Sequence, residues 1–184
     1  MAHTRKLFIA TMIVLTWASV ASAQEWAVAG FTGIVDEADT SMHVFGSNGA
    51  VAIKSSVGRG TLNVRYPVDM RVREFNPPES DCTELRANLR DTGSGARVIV
   101  RLMRLGIGGE APVGELTLLA EIDSNAFGGA SNQYITHRAC FTQDPGFLTD
   151  WTYFVEAQLI KTVATANPGL MSLQICSSQD ACDP

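Results

Sequence analysis

The sequence predicts an all-β domain, a two-sheet antiparallel sandwich of jelly-roll type. Three observations carry that expectation. Gly and small polar residues punctuate the chain every eight to twelve positions or so, the rhythm of strands joined by turns. Between them, apolar residues recur with a period of two, as in Leu62, Val64 and Tyr66. No stretch carries a convincing helical period, and at this length the strands suit two packed sheets, with a closed barrel as the alternative.

The elements follow in order. Residues 1–23 are read as a signal peptide, outside the fold. Arg5 and Lys6 form a basic lead, Leu7 to Val20 is mostly apolar, and Ala21-Ser22-Ala23 is a small-x-small cleavage site. The apolar run is shorter than the roughly 20 residues of a spanning helix. Residues 24–184 are then a single domain, secreted or periplasmic, without a further membrane span. Ala27 to Val35 opens it as a β-rich stretch. Met42 to Phe45 and Ala50 to Lys54 flank Gly46-Ser47-Asn48-Gly49, a hairpin signal because Asn-Gly tolerates positive φ. Thr61 to Tyr66 alternates, and Val68, Met70 and Val72 resume beyond Pro67, which predicts a bend or a strand edge there. Asn76 to Asp81, with two prolines, is a loop.

Cys82 to Arg90 is the ambiguous piece. Leu85 and Leu89 suit a helix, but Leu85, Ala87 and Leu89 also alternate with polar neighbours. The turn residues Asp91 to Gly95 and the strand-like Arg97 to Met103 decide for a strand and a hairpin. Strands follow over Glu115 to Ile122, Tyr134 to Phe141, Trp151 to Ile160 and Leu170 to Cys176, separated by Gly, Asn and Pro turns. The total is about nine to eleven strands, joined by sequential hairpins.

Charge narrows the function classes. Removing the leader leaves 12 basic residues against 19 acidic ones, a net charge of −7 where the whole chain carries −5. Such a surface repels phosphate backbones, so nucleic acid is not an expected partner. Ten of those 12 basic residues are Arg, which suits a surface of Arg–carboxylate pairs. The chain ends Ala181-Cys182-Asp183-Pro184, without the terminal aromatic of many outer-membrane barrels.

The cysteines, Cys82, Cys140, Cys176 and Cys182, are even in number behind a leader and read as two disulfides. Cys176 and Cys182 enclose a short polar loop, which leaves Cys82 to pair with Cys140. No pair has the CxxC spacing of structural zinc.

Little in the sequence carries chemistry. Only His43 and His137 remain beyond the leader, and there is no GxSxG, HExxH or phosphate-cradling loop, so no catalytic residue and no enzyme is expected. No cofactor is expected beyond calcium, for which Asp36, Glu37 and Asp39 cluster, with Asp91, Asp123 and Asn125 at turns. The simpler role of these residues is turn capping. For a sugar face, the aromatic candidates are Trp26, Tyr66, Tyr134, Trp151, Tyr153 and Phe154. Trp151, at the start of a strand, is the best of them. Two readings follow: an exported interaction protein that self-associates or serves an envelope, and a carbohydrate-binding module, calcium-assisted or not. A hydrolase built on two carboxylates is a third.

Asp91-Thr92-Gly93 leading into Ala96 to Val100, then Asp123-Ser124-Asn125, Tyr153 to Glu156 and Asn167 to Leu170, resembles small exported bacterial β-sandwich proteins of unassigned function. The resemblance covers about half of the domain, on its C-terminal side. It implies the sandwich and export and transfers no functional residue.

Overall fold

The computed structural model describes residues 26–68, 83–109, 111–141 and 150–177. The predicted loop at 76–81 and the turn at 143–146 lie outside them. Eleven strands are described: β1 (Trp26–Ala29), β2 (Ile34–Val35), β3 (His43–Phe45), β4 (Val51–Ile53), β5 (Gly60–Val68), β6 (Thr83–Arg90), β7 (Ala96–Gly106), β8 (Leu116–Asp123), β9 (Ile135–Phe141), β10 (Trp151–Lys161) and β11 (Gly169–Ser177). Among the described residues the only helical pieces are three 3₁₀ turns of three residues each.

The strands form two antiparallel sheets. One runs β3-β4-β11-β6-β9, with β1 also on β11; the other runs β2-β5-β10-β7-β8. From β4 onward the orders 4-11-6-9 and 5-10-7-8 are those of an eight-stranded jelly roll. Along β11, one edge is shared: β4 pairs with Gly169 and Leu170, and β1 with Ser172 to Ile175. The predicted sandwich is therefore present.

Its connections correct the sequence reading. β6 and β7 do not form a hairpin: they lie in different sheets, and residues 91–95 carry the chain across. Alternation reports which face of a strand is buried, and an arch between sheets satisfies it as well as a hairpin does. Among the described strands, only β3–β4 and β7–β8 pair as neighbours in sequence. The opening stretch is also divided. β1 lies in one sheet and β2 in the other, and the chain crosses at Gly30, where a Cβ would sit 2.1 Å from the Leu170 carbonyl oxygen. The hairpin at 46–49 holds, with Gly49 at φ +85°.

The core is the meeting of the two inner faces. In the β5-β10-β7 layer, Val155 lies between Tyr66 and Leu102, Ala157 between Val64 and Val100, and Leu159 between Leu62 and Val98. All of these are buried. Opposite them, Leu85, Ala87 and Leu89 of β6 face inward, as their alternation predicts. Each fully buried aliphatic side chain contributes about 1.5–3 kcal/mol, so the period of two is what assembles the sandwich. β5 runs through Pro67 to Val68, and among the described residues β2 pairs with it only at Val64 and Arg65, short of the proline.

The outer face carries the arginine pairs that composition suggests. Arg97 meets Asp123 at 2.6 Å, Arg101 meets Glu121 at 2.6 Å, and Arg86 meets Glu84 at 2.8 Å. Surface pairs such as Arg101–Glu121 add about 0–1 kcal/mol each.

Neither Cys140 nor Cys176 is a free thiol. Both register on Glu84, one from each side of β6. Two strand spacings of about 4.8 Å separate them, more than the roughly 7 Å a disulfide spans between α-carbons. Topology thus removes the pairing of Cys140 with Cys176. Peptide mapping without reduction should recover Cys82 with Cys140 and Cys176 with Cys182. A fragment linking Cys82 to Cys176 would overturn that assignment.

Candidate functional site

The residues named from sequence are dispersed. Asp36 caps a 3₁₀ turn, its carboxylate accepting from the Ala38 N–H at 3.1 Å. Asp39 is buried and accepts from the backbone N–H of Asn63 at 2.8 Å and from its side-chain amide at 3.0 Å. Glu37 is exposed. These carboxylates serve the backbone, and no group of three His, Cys, Asp or Glu side chains suited to a metal occurs among the described residues. Trp151 is half-buried against the core, and the Arg104 guanidinium lies 4.1 Å from its ring centroid. That face of the indole is already stacked. Trp26, rather than trailing free, pairs with Ile175 on β11.

A cleft forms elsewhere, where the arch 91–95 meets the connection from β8 to β9. Its outer part, about 290 Å³, is lined by Asp91, Ser94, Ser124, Asn125 and the glycines 93, 128 and 129. An adjoining inner pocket of about 170 Å³ continues to Leu89, Phe127, Gln133, Ile135 and His137. Small-ligand pockets begin at about 300 Å³, and the two together reach that range.

Local chemistry builds the cleft. Asp91 follows β6 and accepts the Gly93 N–H at 2.8 Å, an Asx turn that Gly93 completes at φ +111°. Its other carboxylate oxygen accepts a short hydrogen bond from the Ser124 hydroxyl. Ser124, buried after β8, accepts in turn from the Val98 N–H at 2.9 Å. Asp91, Ser124 and Val98 therefore tie the ends of β6, β8 and β7 across both sheets. Beside them Asp123 caps the 3₁₀ turn through the Asn125 N–H and holds Arg97 through two bonds of 3.0 and 2.6 Å. That guanidinium holds the Asp123 carboxyl below its usual range. The loop returns to the arch at Ser131, whose N–H meets the Asp91 carbonyl at 2.7 Å.

The inner pocket belongs to β9. His137 registers with Ala87 and so points between the sheets. Phe127 lies against it, ring centroids 4.4 Å apart, and keeps 44% of its surface exposed. Burial pushes the imidazole below its ordinary pKa, with the Asp91 charge opposing. Burial thus favours the neutral form of His137.

Asp91, Ser124 and His137 line one pocket. Their bonding is not that of a nucleophilic serine, which requires the base to accept its proton. Here the hydroxyl donates directly to the carboxylate and accepts from a backbone N–H. Ser124 is a brace for Asp91. What the cleft offers a ligand is a carboxylate, the exposed side chains of Ser94, Asn125 and Gln133, and one aromatic ring.

Sequence reasoning placed Asp91 and Asn125 at turns and His137 in a strand without bringing them together, and it did not weigh Phe127. The available signal was an aromatic residue with no strand alternation around it, immediately before Gly128-Gly129.

No family model matches the sequence, and no curated protein is significantly similar to it. Solved structures are similar to it at low identity and with TM-scores below 0.5. A carbohydrate-binding CBM36-1 domain of a multidomain xylanase, from the hindgut metagenome of Trinervitermes trinervoides, is 15% identical over 83% of this chain and 96% of its own, with a TM-score of 0.42. The adhesin domain of Lys-gingipain from Porphyromonas gingivalis is 13% identical over 83% of this chain and 97% of its own, at 0.44. A family two carbohydrate esterase from Cellvibrio japonicus is 9% identical over 84% of this chain, at 0.39. This chain spans only 34% of that esterase.

Proposed function

We propose that the protein is an exported, non-enzymatic β-sandwich that binds carbohydrate in the cleft between the 91–95 arch and the 124–134 connection. Of the two readings open from sequence, self-association and glycan binding, the cleft favours the second. The observation that carries it is the exposed Phe127 ring beside a braced carboxylate and two amide side chains. A sugar presents C–H faces and hydroxyl edges together, and an aromatic ring flanked by hydrogen-bonding groups meets both. The negative surface is consistent with a ligand that carries no phosphate.

The test is titration of the oxidised domain with a panel of soluble oligosaccharides, followed by amide chemical shifts. Shifts confined to residues 91–95 and 124–137, and weakened about tenfold or more in Phe127→Ala, are expected. Loss of a well-packed aromatic anchor costs about 2 kcal/mol or more, or over tenfold in affinity. A panel that moves no resonance in the cleft would refute glycan binding there.

A further inference from the structure

We infer that the cleft selects uncharged glycans and holds them by a chain end, one terminal ring entering the inner pocket. This rests on the carbohydrate reading and adds its ligand class. The first part follows from charge. Asp91 lines both compartments, and no lysine or arginine lines either among the described residues. The one nitrogen base, His137, is biased toward its neutral form by burial. An ionised carboxylate offers about four acceptor positions. The Gly93 N–H and the Ser124 hydroxyl occupy two, one on each oxygen. The remainder suit sugar hydroxyls, which donate. A uronate or sialate would bring a second carboxylate to a site with no cation to meet it, and like charges at hydrogen-bonding range repel strongly where water is partly excluded.

The second part follows from shape. The inner pocket ends on Leu89, a core residue only 1% exposed, with His137 and Ile135 on the β9 side and Phe127 and Gln133 on the loop side. On the Leu89 side its wall is the sandwich core, which a glycan cannot cross. The pocket is a recess of about 170 Å³, partly open to solvent, that adjoins the wider mouth. A ring inside the recess contacts Phe127, while the next ring lies in the mouth against Ser94 and Asn125. The interior of a long polymer has no free ring to insert.

The experiment uses isothermal titration of the wild-type domain and of Asp91→Asn, which keeps an acceptor oxygen and removes the charge. The probes are neutral hexose and pentose oligosaccharides, cyclic glucans that lack ends, and the same linear oligosaccharides oxidised at the terminal ring to the uronic acid. The neutral linear probe that binds best should bind wild type at least about tenfold more tightly than its oxidised counterpart, and Asp91→Asn should narrow that gap. Cyclic probes should not bind, and affinity for a polymer should scale with the concentration of ends rather than mass. Equal binding of neutral and oxidised probes would overturn the charge selection, and tight binding of a cyclic glucan would overturn the end recognition, both leaving the carbohydrate reading standing. Binding of no probe would overturn the carbohydrate reading itself.

Discussion

Tyr66→Ala should lower the unfolding free energy by about 3–5 kcal/mol, the cost of deleting a fully buried aromatic ring and leaving its cavity. For a domain of this size that is a fall in Tm of about 6–20 °C. Tyr66 is 1% exposed, on the inner face of β5 beside Val155, and its hydroxyl donates to the Gly30 carbonyl at 2.7 Å. The ring also packs against Gly33, where a Cβ would approach within 2.5 Å of it. It therefore joins one sheet to the segment by which the chain leaves the other. Tyr66→Phe keeps the ring and strands one buried carbonyl, for about 1–3 kcal/mol. The pair separates packing from hydrogen bonding. Burial pushes the phenol pKa well above its ordinary value. The proton is thus held more tightly folded than unfolded, and stability present below about pH 10 is lost as pH rises beyond it. That alkaline decline should shrink in Tyr66→Phe. Equal melts for Tyr66→Phe and wild type, at both neutral and alkaline pH, would show that the hydroxyl contributes nothing.

The second large effect belongs to Asp91. Asp91→Ala removes the acceptor for the Ser124 hydroxyl and the Gly93 N–H. Hydrogen bonds to a charged group contribute about 1.5–3 kcal/mol each, the lower part of that range applying to a half-exposed residue. We expect a stability loss of about 3 kcal/mol, or about 6–12 °C in Tm, with oligosaccharide binding abolished below the melt. Asp91→Asn should retain most of the stability. Chemical denaturation and titration on the same samples give both quantities. Unchanged affinity in a folded Asp91→Ala would remove the carboxylate from the site.

How far the sequence discloses this molecule depends on the distance over which a pattern acts. The inner faces of β5, β6 and β10 are legible because alternation is a property of each strand alone. Tyr153, Val155, Ala157 and Leu159 are buried as that period requires. Sheet membership is not legible. Asp91 to Gly95 is turn chemistry whether the chain doubles back or crosses over, and the choice is made by partners such as β11, far along the chain. The cleft is hidden for the same reason. Asp91 and Ser124 are 33 residues apart and bond only because two strands from different sheets end side by side. Phe127 reads in isolation as one exposed apolar residue, a common sight. Asp36, Glu37 and Asp39 show the converse: close in sequence, they form no metal-holding group, and two of them are committed to backbone N–H groups.

The position of β11 has a consequence for biosynthesis. It is the last strand of the described chain, yet it lies within its sheet, flanked by β6 on one side and by β1 and β4 on the other. A nascent chain that has not yet supplied Gly169 to Ser177 holds three strands with no common neighbour. Local hairpins form early, but strand pairings that close long loops come late and slowly. Completion of the sandwich therefore waits for Gly169 to Ser177, and a chain stopped short of Gly169 would leave the inner faces incompletely covered and open to aggregation.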